Sequence, residues 1–323
     1  MQAFREDRSP DGGLYFPEKL PRLTRKEIEE LGRQPENAAI AALLNRFGDW
    51  NVTGWDLDFS VGRRWVRLTP LERKAKLCQC WYAAEGRVDS LTEYLSGRFQ
   101  IPWGFWGKTA VRIAVLGMGL SRSLAEDGES PAVDLAMVGG DFAGVLAGLC
   151  LKAMGFPVGK LIVCCNENNS AWELVHLGAL HTDGVTVKTM TPEADLWLPL
   201  GLEGVLSFIG GPSAAVEYAK CAYLGGEFLP GEELLRALRS LLYVSVVSDS
   251  RMAFTLSGVL KNTGRLLSPY EALAYAGVQD YRAKGGENRL CVLLSEKSPQ
   301  LDEEILARAL KKSLPEVRAI LRR

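Results

Sequence analysis

From residue 131 onward, short runs of consecutive apolar residues alternate with stretches of helical period. Val133–Val138 (VDLAMV), Leu161–Cys165 (LIVCC), Tyr243–Val247 and Leu290–Leu294 read as strands, with Val185–Thr189 a weaker one. A strand apolar at every position has both faces buried, so helices must cover both sides of a mostly parallel sheet. Helices are expected over about 142–154, 171–177, 214–223, 232–242, 250–263 and 268–281, with a helical end to the chain. The predicted fold class is α/β, a mostly parallel sheet with helices on both faces.

Ahead of this region, helical signals dominate. Thr24 and Glu27 have capping-box spacing, and Ile40, Leu43, Leu44 and Phe47 after Pro35 mark one buried helix face. Thr69, Pro70 and Glu72 read as cap, first helical position and capping-box partner, and Asp89 as the cap of a short helix ending near Phe99. A long apolar helix is expected from Trp103 to Leu124. Three parts follow: a small helical N-terminal segment (1–66), a helical stretch (67–102) and an α/β unit (103–323).

The 38 Lys and Arg against 39 Asp and Glu leave a formal charge of −1, which argues against nucleic acid as a partner. No apolar run reaches the roughly 18 residues of a membrane span, and MQAFREDRSPDGG has no apolar signal core. Seven cysteines form an odd set among apolar residues, which suggests a reducing, cytoplasmic setting, and two histidines are too few for a His-rich metal site. Cys78, Cys80, Cys164 and Cys165 are expected as small buried hydrophobes. His176 and His181 have no obvious acidic partner in the sequence.

Several stretches resemble the threonine synthase family of pyridoxal-phosphate (PLP) enzymes, of fold-type II. Asp11-Gly12-Gly13-Leu14-Tyr15-Phe16-Pro17-Glu18 is similar to the family's DGGLYVPE. Asp141-Phe142-Ala143-Gly144-Val145-Leu146-Ala147-Gly148 is similar to NFGDVLAG, and Lys152 to Val163 to KKMGLPIGKLIV. Cys165-Asn166-Glu167-Asn168 continues as TNEN does. The resemblance covers most of 9–30 and 103–313. It implies the large domain of that fold, with the smaller domain missing or reduced to 67–102.

The departures bear on chemistry. The family's Schiff-base lysine lies in an HGPTxAFKD motif, which this chain lacks, as it lacks an SGDTGSAA-like stretch. The phosphate cup corresponds to Gly139, Gly140, Asp141, Phe142, Ala143 and Gly144, where Asp141 replaces an asparagine. A carboxylate and a phosphate at ~4 Å repel by about 4 kcal/mol per charge pair at an effective dielectric near 20. Asp141 therefore opposes an anion unless a cation intervenes, or simply caps the following helix. The SN and R of SNxER become Leu200-Gly201 and Gly204, and DPHT becomes Ser268-Pro269-Tyr270-Glu271. Ser295 stands near the position that the family uses against the cofactor ring nitrogen. Among lysines, Lys108 either is buried with a depressed pKa or snorkels to solvent, and Lys160 and Lys188 read as solvated strand ends.

Three functions stay open. One is a non-catalytic relative without cofactor, binding a protein partner as homo-oligomer or heteromer. Another is an active PLP enzyme converting O-phosphohomoserine to threonine through a relocated lysine. The last is a module for an amino-acid-like ligand at 139–144.

Overall fold

The computed structural model describes residues 8, 10, 12–48, 50–57, 65–80, 88–99, 105–127 and 131–322. Ser9, Asp11 and Trp103 of the sequence analysis lie outside them.

The N-terminal segment holds α1 (Arg25–Arg33) and α2 (Glu36–Leu44). The Thr24–Glu27 capping box forms as expected. Both helices pack on α4 (Phe105–Asp127), which follows α3 (Val88–Phe99). Phe16 meets Phe105 and Trp106 at centroid distances of 5.7 Å, and Phe47 meets Trp106 edge-on at 5.9 Å.

The stretch around Thr69 is a correction. Instead of a helix there are β1 (Arg67–Glu72) and β2 (Ala75–Gln79), paired antiparallel with a register shift between Pro70 and Glu72. Pro70 lacks an N–H, and an edge strand such as β1 tolerates that.

The α/β region runs β3 (Val133–Val138), α5 (Ala143–Ala153), β4 (Val158–Cys165), α6 (Ser170–Trp172), a π-helical turn Glu173–Leu177 and β5 (Leu180–His181). It continues with α7 (Leu202–Gly210), α8 (Pro212–Leu224), β6 (Glu227–Phe228), α9 (Glu232–Leu241), β7 (Leu242–Val246), α10 (Asp249–Thr263) and α11 (Pro269–Ala283). The end is β8 (Leu290–Ser295), α12 (Glu303–Leu310) and α13 (Leu314–Leu321). Residues 185–189 are loop rather than the weaker strand expected, because the buried Asn168 and the half-buried Asp195 take the hydrogen bonds a neighbouring strand would have made.

The main sheet has the order β1-β2-β8-β3-β4-β7, with β2, β8, β3, β4 and β7 parallel. Side chains alternate between its faces. Leu161, Val163 and Cys165 enter one core with α4 and α5. Ile162 and Cys164 enter the other, beneath α11. The α/β class is thus as expected, with both faces covered. Among the described residues, no helix is long and apolar enough to cross a membrane.

The docking of α1 is tight enough to test. A Cβ on Gly32 would lie 2.2 Å from the backbone oxygen of Ser121 in α4. Backbone in a packed helix yields little, so Gly32→Ala should cost about 1–3 kcal/mol. Urea unfolding checks this through a lowered midpoint at unchanged slope.

Candidate functional site

Parallel strands of an α/β sheet leave crevices beyond their carboxyl ends, and ligands favour them. Here a cleft of about 220 Å³ opens beyond β2, β3 and β8. The glycine turn after β3 contributes Gly140, Asp141 and Gly144, α4 contributes Arg112, and the start of α11 contributes Ser268 and Tyr270. Ser295, Glu296 and Lys297 follow β8, and Glu193 comes from the loop before α7.

Four of the expected site residues therefore line this cleft: Gly140, Asp141, Gly144 and Ser295. Gly139, Phe142 and Ala143 do not; Phe142 is core. Gly140 has to be glycine, because a Cβ there would sit 2.6 Å from the Ala194 backbone. Leu200 closes the turn from the other side: its N–H donates to Gly140 O at 3.0 Å, and its carbonyl accepts from Phe142 at 2.7 Å.

Asp141 stands one residue before Phe142, the N-cap of α5. Its Oδ1 accepts the N–H of Ala143, the first residue of α5, at 2.8 Å. Its Oδ2 lies 3.6 Å from the guanidinium of Arg112. Arg112 also pairs with Glu296 at 2.6 Å, so one cation stands between two carboxylates.

Lys297, like Arg112, Glu193 and Glu296, is a site residue that sequence reasoning missed. Its Nζ lies 2.8 Å from Glu193, 2.7 Å from Asp302 and 5.0 Å from the Tyr270 ring centroid. Burial alone would lower its pKa, but the bonds to Asp302 and Glu193 outweigh that and push it up to about 12. Burial raises Asp302 as Lys297 lowers it, with burial the larger effect. One available signal was position: Lys297 follows the carboxyl end of a buried parallel strand. The lysines weighed from sequence lie elsewhere. Lys108 and Lys188 are exposed. Lys160 is half-buried inside β4, with its ammonium on the carbonyls of Arg239 and Ser240.

Behind the cleft lies a buried polar chain. Ser295 Oγ donates to Glu271 Oε1 at 2.6 Å, and Gln79 Nε2 donates to the same oxygen at 3.2 Å. Thr69 donates to Gln79 at 2.9 Å. Glu271 Oε2 accepts the Ser268 N–H at 2.8 Å and completes the capping box of α11.

The other candidates behave as structure. Cys78, Cys80, Cys164 and Cys165 are buried thiols, and burial pushes Cys165 up to about 12. His176 stacks on Trp172. His181 does have an acidic neighbour, Glu227 at 3.6 Å, brought in by the β5–β6 pair. Among the described residues, no group of His, Cys, Asp and Glu could hold a metal ion.

No family model matches the chain. The threonine synthase of Pseudomonas aeruginosa is 23% identical over 213 residues, 62% of this chain and 45% of that protein. That of Eremothecium gossypii is 30% identical over 84 residues, 26% of this chain and 16% of that protein. The chain thus spans less than half the length of these relatives. In structure it is similar to the PLP-bound threonine synthase from Brucella melitensis, with TM-score 0.81, 17% identity, and 100% of this chain and 91% of that one covered. Threonine synthase from yeast gives TM-score 0.82 at 12% identity, over 99% and 90% of the two chains. The chain is threonine synthase-like. Its fold is that of the fold-type II PLP enzymes.

The cleft of this threonine synthase-like chain does not fit pyridoxal phosphate held by a lysine. Among the described residues, its lining carries two cations against three carboxylates. Both cations are ion-paired, so neither compensates a phosphate. The hydroxyl proton of Ser295 is given to Glu271 and not to a ring nitrogen. The Lys297 ammonium is bound by two carboxylates, Glu193 and Asp302, which favour the charged form over the amine that a Schiff base needs.

The sign of the pH effect follows. A lysine whose folded pKa lies above its unfolded value of about 10.4 gives stability that is complete below that pH and lost as pH rises through the folded value. The wild type should therefore lose its advantage over Lys297→Met between about pH 10.4 and pH 12, as followed by alkaline unfolding monitored by circular dichroism.

Proposed function

We propose that this threonine synthase-like protein is non-catalytic and acts as a binding or partner subunit without a Schiff-base cofactor. The observation that carries this reading is the double ion pair on Lys297, the lysine lining the cleft. The sequence supports it too: the HGPTxAFKD motif is absent. Arg112 and Lys297, the cations among the described lining residues, are both ion-paired within the chain. A partner role agrees with the apolar side chains left exposed along 177–229, among them Leu177, Leu200, Tyr223, Leu224 and Leu229. Large exposed apolar side chains favour association.

Incubation with pyridoxal phosphate and then borohydride should leave the protein unlabelled by mass spectrometry. A stoichiometric adduct on any lysine would end the proposal. The joint variant Glu193→Gln/Asp302→Asn separates the causes. It removes both charges from Lys297, so labelling should appear at that residue if the ion pairs are what withhold the amine. Light scattering at micromolar concentration tests the partner role, with a dimer or larger assembly, or a copurifying protein, expected. A clean monomer with no copurifying protein would count against it.

A further inference from the structure

A second cleft lies at the opposite end of the sheet, by the amino ends of β4 and β7. It encloses about 440 Å³. Among the described residues, four basic side chains line it, Lys160, His176, Arg239 and Lys284, and no carboxylate does. Tyr243 and Tyr281, with ring centroids 4.9 Å apart, form an aromatic wall, and Gly285 and Gly286 form its edge.

No acid is ion-paired with these basic groups among the described residues, although Asp134 and Glu287 act on Lys160 from farther away. The Asp and Glu residues nearby are committed to other arginines: Asp134 and Glu287 to Arg289, and Asp280 to Arg251. The basic groups rest on main-chain carbonyls instead. Lys160 Nζ donates to Arg239 O at 3.3 Å and Ser240 O at 2.5 Å. Arg239 donates to Val175 O at 2.7 Å and His176 O at 3.0 Å. These are the carboxyl ends of α9 and of the π-helical turn, where a helix carries roughly half a negative charge. Such ends explain part of the cluster. At the lining itself, three permanent cations meet only these partial charges, counting the end of α11 as well. His176 registers the cations: burial, and then the charges of Lys284 and Arg239, hold its pKa below the usual histidine value.

Those carbonyl contacts also fix the basic groups while leaving donors to spare. A guanidinium has five N–H groups, and Arg239 uses two of its nitrogens on carbonyls. His176 bonds Trp172 O through Nδ1, which leaves Nε2 for another partner.

We propose that this cleft is a binding site for a small dianion of the phosphate class, either inorganic phosphate or a phosphate monoester. The cations supply charge-assisted donors, and the tyrosine pair supplies a flat surface for an organic ester group. The site is separate from the cleft at 139–144 and stands whether or not that cleft is catalytic.

The chain has two histidines, so proton NMR reads the site directly. At constant pH and ionic strength, inorganic phosphate should shift the His176 ring resonance with saturation in the low-millimolar range. It should also raise the His176 pKa, because an anion favours the imidazolium, while His181 stays unmoved. Lys284→Glu, at an exposed position, should weaken binding about five-fold or more, and Lys284→Arg should bind within about two-fold of wild type. Tighter binding of phenyl phosphate than of inorganic phosphate assigns the site to an ester, and equal binding assigns it to the free ion. A non-saturating shift, equal movement of both histidines, or unchanged affinity in Lys284→Glu would overturn the proposal.

Discussion

The buried carboxylate of Glu271 is the point on which the candidate site depends. It is 2% exposed and ties three elements together. Through Oε2 it caps the first turn of α11, and through Oε1 it receives Ser295 from β8 and Gln79 from β2. A carboxylate removed from water is costly unless such donors surround it, so the three elements must meet for Glu271 to be buried at all. That meeting sets Ser268 and Tyr270 beside the ends of the strands and closes the back of the cleft. It also consumes the Ser295 proton. The same bonds that hold the fold together remove from the site a group that a pyridine nitrogen would need.

Ion pairing does the equivalent at the front. Arg112 is shared by Asp141 and Glu296, and Lys297 by Glu193 and Asp302. Each pair bridges elements distant in sequence, α4 to the glycine turn and the 193 loop to the segment after β8. Asp302 is buried, so removing Lys297 would leave it a costly bare charge, whereas Glu193, Glu296 and Asp141 remain in contact with water. The Lys297–Asp302 pair is thus mutually retaining, and a Lys297 drawn toward an incoming anion would leave that carboxylate uncompensated. This electrostatic closure is compatible with an unaltered backbone, which is why the likeness of fold at TM-scores of 0.81 and 0.82 carries no implication of retained chemistry.

What the sequence made legible was mostly local or periodic. The apolar runs marked the buried parallel strands because both faces of each are covered, and the capping boxes at Thr24 and Ser268 follow from four-residue geometry. Asp141 as a helix-end acceptor was legible for the same reason. Thr69-Pro70-Leu71-Glu72 misled because a cap followed by proline and an acid is also compatible with an edge strand. What decides it is the pairing of β2 with β8, between residues more than 200 positions apart. Lys297 and Arg112 were not legible as site residues. Arg112 owes its role to Asp141 and Glu296 and Lys297 partly to Glu193, carboxylates supplied by other segments, which no local pattern encodes.

The two ends of the sheet differ in how their charges are held. At the carboxyl ends of the strands, cations meet carboxylates and little net attraction for an anion remains. At the amino ends, cations meet helix carbonyls, which carry only partial charge. A parallel sheet with returning helices produces this asymmetry, since each helix that follows a strand brings its own carboxyl end back to the amino ends of the strands. Basic residues placed there first serve the helices. Where three helix ends converge, as at α9, α11 and the π-helical turn, such residues accumulate in one place. An anion site at that end therefore needs no dedicated loop or motif. It also left no signature in the sequence, because Lys160, His176, Arg239 and Lys284 come from four segments that only the packed sheet brings together.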